Sequence, residues 1–153
     1  EADEVLVEHE VALDIKLRPV AFDSKAAWCR GIIDLALLRG DRGIVGDYKT
    51  GRRYPDFDQT EMSAHILFIQ KPKLEKVKQV FFWTRYGDGG EKSPEKFYDS
   101  KTTHRDESHK FWRKTIPRIE RMKYAFDNND YFEKPSGLCG WCWVKTCTHC
   151  PNK

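Results

Sequence analysis

Apolar residues along this chain gather in short runs divided by polar turns, and the clearest of these runs contains a charge. Ile32-Ile-Asp-Leu-Ala-Leu-Leu38 is apolar at every position but one. That pattern predicts a strand buried on both faces, with Asp34 inside it. A carboxylate in such a place must find a partner or neutralise itself. The next run, Ile44-Val-Gly-Asp-Tyr-Lys49, sets Asp47 and Lys49 two residues apart, so a strand projects both to one face. Arg39-Gly-Asp-Arg-Gly43 lies between the runs and predicts a hairpin loop. Pairing the two strands makes Asp34, Asp47 and Lys49 converge. Two hard oxygen donors beside a lysine suit Mg²⁺ or Mn²⁺ and a phosphodiester. The plainer alternative is a structural Asp47–Lys49 ion pair, with Asp34 solvated at a strand end.

Further along, Asp58 predicts a helix N-cap and Glu61, three residues later, a capping-box start. The helix is expected from about residue 57 to 70, with Met62, Ile66 and Ile69 as core positions. Lys76 to Tyr86 predicts a strand beside the first two. Gly87-Asp-Gly-Gly90 then predicts a turn, and Lys96-Phe-Tyr98 a returning strand. Residues 101–123 carry Phe111, Trp112, Ile116, Ile119 and Met122 as an apolar stripe. They predict an amphipathic helix packed on the sheet, kinked or broken at Pro117. Glu8, His9 and Glu10 belong to an opening strand. The order predicts an α/β fold, a central mixed β-sheet flanked by helices over residues 1–136, followed by a Cys-rich metal-binding tail over 137–153.

With 153 residues the chain suits a single domain with a real core. Its 39% hydrophobic and 13% aromatic content excludes general disorder. No apolar run approaches the ~18 residues that span a bilayer, and no signal peptide stands at the start. A cytoplasmic protein with no membrane partner is the expectation. The net charge of +3 says little, but its placement says more. Lys101, Arg105, Lys110, Arg113, Lys114, Arg118, Arg121 and Lys123 face only Asp106, Glu107 and Glu120 within residues 101–123. Lys110, Arg113 and Lys114 are candidates for phosphate contact there, the alternative being a solvated helix face. Arg52 and Arg53, next to the proposed chemistry, are better candidates.

The tail supplies a second signal. Cys139-Gly-Trp-Cys142 and Cys147-Thr-His-Cys150 are two C-x-x-C pairs separated by four residues. In a reducing compartment this spacing favours a metal over disulfides. All four cysteines suit Zn²⁺ or a [4Fe–4S] cluster, with His149 as a substitute zinc ligand. Either would pin the chain's end and add stability, not bond cleavage. Secretion or oxidation would instead make disulfides the leading alternative. Cys29 reads as a buried strand thiol.

Gly31-Ile-Ile-Asp34, Asp47-Tyr-Lys49-Thr-Gly51 and Gln59 at the head of a helix together resemble the PD-(D/E)XK nuclease superfamily. The resemblance is to its RecB-like branch of phage and bacterial exonucleases and CRISPR-adaptation nucleases. It implies a restriction-endonuclease-like core in which Asp34 and Asp47 hold the metal, joined by the Tyr48 backbone carbonyl. Lys49 would orient or deprotonate the attacking water, and Gln59 would steady the nucleophile, the lysine or the DNA backbone. Ser63 stands where the family's Q-x-x-x-Y motif has a tyrosine, and counts with Arg52 and Arg53 among expected DNA contacts. Glu10 would add a carboxylate, although a solvated edge strand explains it more simply. The family's N-terminal helical region is expected to be missing here, because the chain begins at Glu1 in what reads as the first strand; a fragment, a processed product or a divergent short form would each account for that. Relatives end in C-x-x-C plus a later cysteine and close an iron–sulfur cluster with an upstream one. Cys139, Cys142 and either Cys147 or Cys150 match that tail. The implied activity is a Mg²⁺- or Mn²⁺-dependent exonuclease acting on single- or double-stranded DNA. Its setting would be recombination or repair in a bacterial or phage-infected cell, alongside a repair protein. A catalytically incomplete DNA-binding or assembly module with the same fold is one alternative. A zinc-tail module that binds a partner protein is another.

Overall fold

The computed structural model describes residues 1–84, 98–131 and 136–143. Strands β1 (Glu4–Leu13), β2 (Cys29–Arg39) and β3 (Arg42–Lys49) are followed by helix α1 (Asp58–Gln70). Strands β4 (Lys76–Trp83) and β5 (Tyr98–His104) come next, then helix α2 (Ser108–Asn128). One five-stranded sheet has the order β1-β2-β3-β4-β5. Its pairs are antiparallel except β3 with β4, which run parallel and are joined through α1. The chain is therefore α/β with a mixed sheet, as the alternation of runs predicts.

Two compact units divide the chain, Glu1–Phe111 and Trp112–Lys153, with the division inside α2. In the first unit, period-2 alternation builds the core. Gly43, Val45 and Asp47 of β3, and Val77, Gln79, Phe81 and Trp83 of β4, are all buried on one sheet face. On α1, Ala64 to Phe68 are buried at five consecutive positions, more than one face of a helix. Segment 105–111 accounts for the extra coverage. The Arg105 guanidinium donates to the carbonyls of Phe68, Lys71 and Leu74 and lies over the Phe68 ring, closing the end of α1. Phe111 stacks on His65 at 4.1 Å between ring centroids.

Several expectations are corrected. The strand from Ile32 to Leu38 is not buried on both faces: Ile32 is 48% exposed, and Leu35 and Leu37 are half-buried. Phe57, not Asp58, is the N-cap of α1, and it makes no side-chain cap bond. Asp56 Oδ1 instead accepts from the Asp58 amide at 3.1 Å, while Phe57 packs on Phe81 at 4.8 Å. Glu61, cast in the capping box, pairs with Lys101 at 2.8 Å. Met62 and Ile69 are half-buried, and only Ile66 of the three predicted core positions is fully buried. Residues 101–104 form the end of β5, because Thr102 and Thr103 pair with Lys78 and Val77 of β4. A short 3₁₀ turn follows over Arg105–Glu107, so the helix starts only at Ser108, and it continues through Pro117. Arg85 and Tyr86 of the predicted strand, the turn at 87–90 and residues 96–97 lie outside the described residues.

The second unit holds most of α2 and the 3₁₀ turn Gly137–Trp141. Arg113, Lys114, Arg118, Arg121 and Lys123 are exposed along α2, with Lys123 paired to Asp127 at 2.5 Å. Among the described residues no helix is long and apolar enough to cross a membrane.

Candidate active site

Register carries the site. Leu35 pairs with Gly46 as the last rung of the β2–β3 hairpin, so the ladder stops one residue short of Asp34 and Asp47. The hairpin turns through Gly40 and Asp41, and Gly40 has φ +57°, which glycine adopts without strain. Gly46, beside Asp47, is obligatory for a different reason: a Cβ there would lie 2.9 Å from the Phe82 ring. Asp34 Oδ2 accepts a bond from the Tyr48 amide at 3.2 Å, which ties the β2 carboxylate to the backbone of β3.

Lys49 shares the face of Asp47, as their spacing requires. Its Nζ lies 2.8 Å from Asp47 Oδ2, 3.4 Å from Gln59 Oε1 and 5.5 Å above the Phe81 ring. Asp34, Asp47, Lys49 and Gln59 are therefore brought together, from β2, β3 and the first turn of α1. Asp47 is only 7% exposed. Its Oδ2 is buried and accepts no aligned hydrogen bond among the described residues, although the lysine stands at ion-pair distance. The donor set fits a hard divalent cation, because Mg²⁺ is commonly held by one or two carboxylates with water and phosphate completing its shell.

The remaining candidates fall in different places. Glu10 pairs with Ile32, one position along the face from Asp34, and is exposed. Among the described residues no three His, Cys, Asp or Glu side chains are close enough to hold a metal together. Ser63 donates to the Gln59 carbonyl at 3.2 Å, one turn along the same side of α1. Arg52 is exposed beside the site. Arg53 is not simply a surface cation: its guanidinium grips Asp99 in a fork, at 2.8 and 2.6 Å. Lys110 is exposed at the start of α2, and Arg113 and Lys114 are exposed in the second unit. Cys139 and Cys142 bracket one 3₁₀ turn, where the Cys142 amide donates to the Cys139 carbonyl at 3.1 Å. Cys147, His149 and Cys150 lie outside the described residues. Burial pushes the Cys29 thiol's pKa up, in keeping with an inert strand cysteine.

Sequence reading missed two features of this region. Asp99 is one, since Asp47 pairs with Phe81 and Phe81 with Asp99, placing two aspartates on a single rung across three strands. The other is Glu8. Val7 and His9 pair with Leu35 and Ile33, but the rung between them, Glu8 opposite Asp34, is not formed. Glu8 takes φ +47°, a costly conformation for a non-glycine residue. Neither feature has a local signature, because each depends on what lies across the sheet.

No protein-family model, no curated protein and no solved structure matches this chain.

Proposed function

We propose that the chain is a metal-dependent phosphodiester hydrolase, a DNA nuclease of the PD-(D/E)XK type with a restriction-endonuclease-like core. The observation that supports this reading is the convergence of Asp47, Lys49 and Gln59, with the Asp34 carboxylate bonded to the Tyr48 amide between Asp47 and Lys49. Asp34 and Asp47 would hold Mg²⁺ or Mn²⁺, with the Tyr48 carbonyl as a further ligand. The ion supplies a Lewis acid for the phosphate and a water of lowered pKa. Lys49 orients the attacking water and balances the charge that develops on the phosphate. Gln59 holds Lys49 at the mouth of the site, and the Phe81 ring beneath it excludes water from one side. Arg52 meets the DNA backbone, and an exonuclease mode in recombination or repair is the preferred form of the activity.

The test is cleavage of end-labelled and circular DNA, single- and double-stranded, with Mg²⁺ or Mn²⁺, comparing wild type with Lys49→Ala. Metal-dependent cleavage that disappears in the variant is expected, with circles resistant. Equal activity of the two proteins would sink the assignment.

A further inference from the structure

Beyond the four residues of the proposed site, the rung of Asp47 has a further acidic member on β5 with a well-defined partner. Asp99 stands on β5, two strands from Asp47, and its side chain is mostly buried, at 19% relative exposure. It accepts two bonds from Arg53 in a planar fork and one from Trp83 Nε1 at 2.7 Å. Such bidentate pairs fix orientation as well as distance. Trp83 is 2% exposed and pairs with Lys49 across the β3–β4 register, so the acceptor end of the cluster is anchored in the core beside the lysine. Arg53, by contrast, sits in the irregular connection between β3 and α1, eight residues from 50 to 57. That connection begins directly after Lys49 and ends just before Gln59. At its two ends the Thr84 hydroxyl holds the Lys49 carbonyl at 3.3 Å and Phe57 packs on Phe81.

From this arrangement we propose that Asp99 is a positioning residue, whose carboxylate clamps Arg53 and thereby the 50–57 connection, so that Gln59 arrives at Lys49. The clamp rests on the nuclease reading for its catalytic consequence, but not for its structural one. The Arg53 guanidinium also holds the Asp99 carboxyl below its ordinary pKa, with the Trp83 bond adding to the effect, so the clamp stays closed across neutral and mildly acidic pH. This assignment changes the role of Arg53. A phosphate-binding arginine would be restrained by Asp99, and removing the aspartate would strengthen substrate binding. A clamped arginine loses its purpose together with its partner.

The experiment measures two quantities on the same proteins: kcat and KM for a labelled oligonucleotide with Mn²⁺, and amide hydrogen exchange across residues 50–59. The variants are Asp99→Asn, which can keep an acceptor for Trp83, Arg53→Lys, Arg53→Ala and the double variant Asp99→Asn/Arg53→Ala. Asp99→Asn and Arg53→Ala should each lower kcat about tenfold with KM within twofold, and each should speed exchange of 50–57 about tenfold. Arg53→Lys should recover part of both, and the double variant should be no worse than either single one. Overturning results are a lowered KM in Asp99→Asn with a raised KM in Arg53→Ala, or additive losses in the double variant. Should wild type cleave nothing with any divalent ion, the nuclease reading falls. The exchange data then decide the clamp alone, and unchanged exchange in Asp99→Asn overturns it.

Discussion

Two polar clusters sit on the same face of the same sheet, and they are built to opposite specifications. Around Gln79, the Thr60 hydroxyl donates to Gln79 Oε1 at 3.0 Å, and Gln79 Nε2 donates to the Thr103 hydroxyl at 2.5 Å. All three residues are buried and neutral, with 0–2% exposure. One rung pair further along, Asp34, Asp47, Lys49 and Gln59 are charged or half-open, held by contacts of 3.2 and 3.4 Å and an ion pair without alignment. A closed network contributes to a unique core. An under-satisfied one costs stability, and such sites persist where something outside the protein completes them. The difference marks the open cluster out more sharply than charge does, because ion pairs such as Lys71–Glu4 occur elsewhere on the same unit.

Changes to the two clusters should therefore separate activity from stability. The largest expected effect is on the open cluster. Lys49→Ala should reduce DNA cleavage about 10²–10³-fold while leaving the urea unfolding midpoint close to that of wild type. A midpoint collapse that accounts for the lost activity would erase the distinction. Next comes a closed group near the helix junction, His65, which is 0% exposed, bonds the Ser108 hydroxyl at 2.8 Å and has its pKa lowered to about 4 by burial. Its unfolded pKa is about 6.5, so the unfolded chain binds more protons between these values. Stability should fall as pH drops from about 6.5 towards 4, by up to about 3 kcal/mol. His65→Gln should flatten that slope in urea titrations at several pH values. An unchanged slope would assign it to other groups.

Gln79→Leu removes the buried Thr103 hydroxyl's partner and leaves Thr60 only the Phe57 carbonyl at 3.2 Å, and should destabilise by about 2 kcal/mol in denaturant unfolding, with cleavage per folded molecule unaltered. A selective loss of activity there would mean that the two clusters are coupled. The smallest effect is expected for Gln59→Ala. Its 3.4 Å contact to Lys49 should be worth about tenfold or less in kcat by single-turnover kinetics.

How much of this was legible in the sequence follows the range of each interaction. Asp34, Asp47 and Lys49 were readable because a short loop joins their strands, expected over Arg39–Gly43 and formed by Gly40 and Asp41 alone, and because side chains alternate with period two. The mixed sheet followed from runs separated by turn residues. Asp99 and Gln79 were not readable. Their partners lie 46 and 24 residues away, Arg53 in an irregular connection and Thr103 on a strand whose pairing no local pattern declares. The polar composition of Tyr98-Asp-Ser-Lys-Thr-Thr-His104 also hid how far the returning strand extends, since only Thr103 is buried in it. The helix start at 58 was mistaken in its cap because Asp56 and Asp58 are equally good acceptors by type. Only the packing of Phe57 on Phe81 selects between them.

The central claim is that the open cluster is completed by a divalent cation, and a calorimetric titration of Mn²⁺ into wild type and Asp47→Asn tests it most directly. Binding to wild type, weakened at least tenfold in the folded variant, is the predicted result. Equal affinity in the two proteins, or no binding to wild type, would contradict the account.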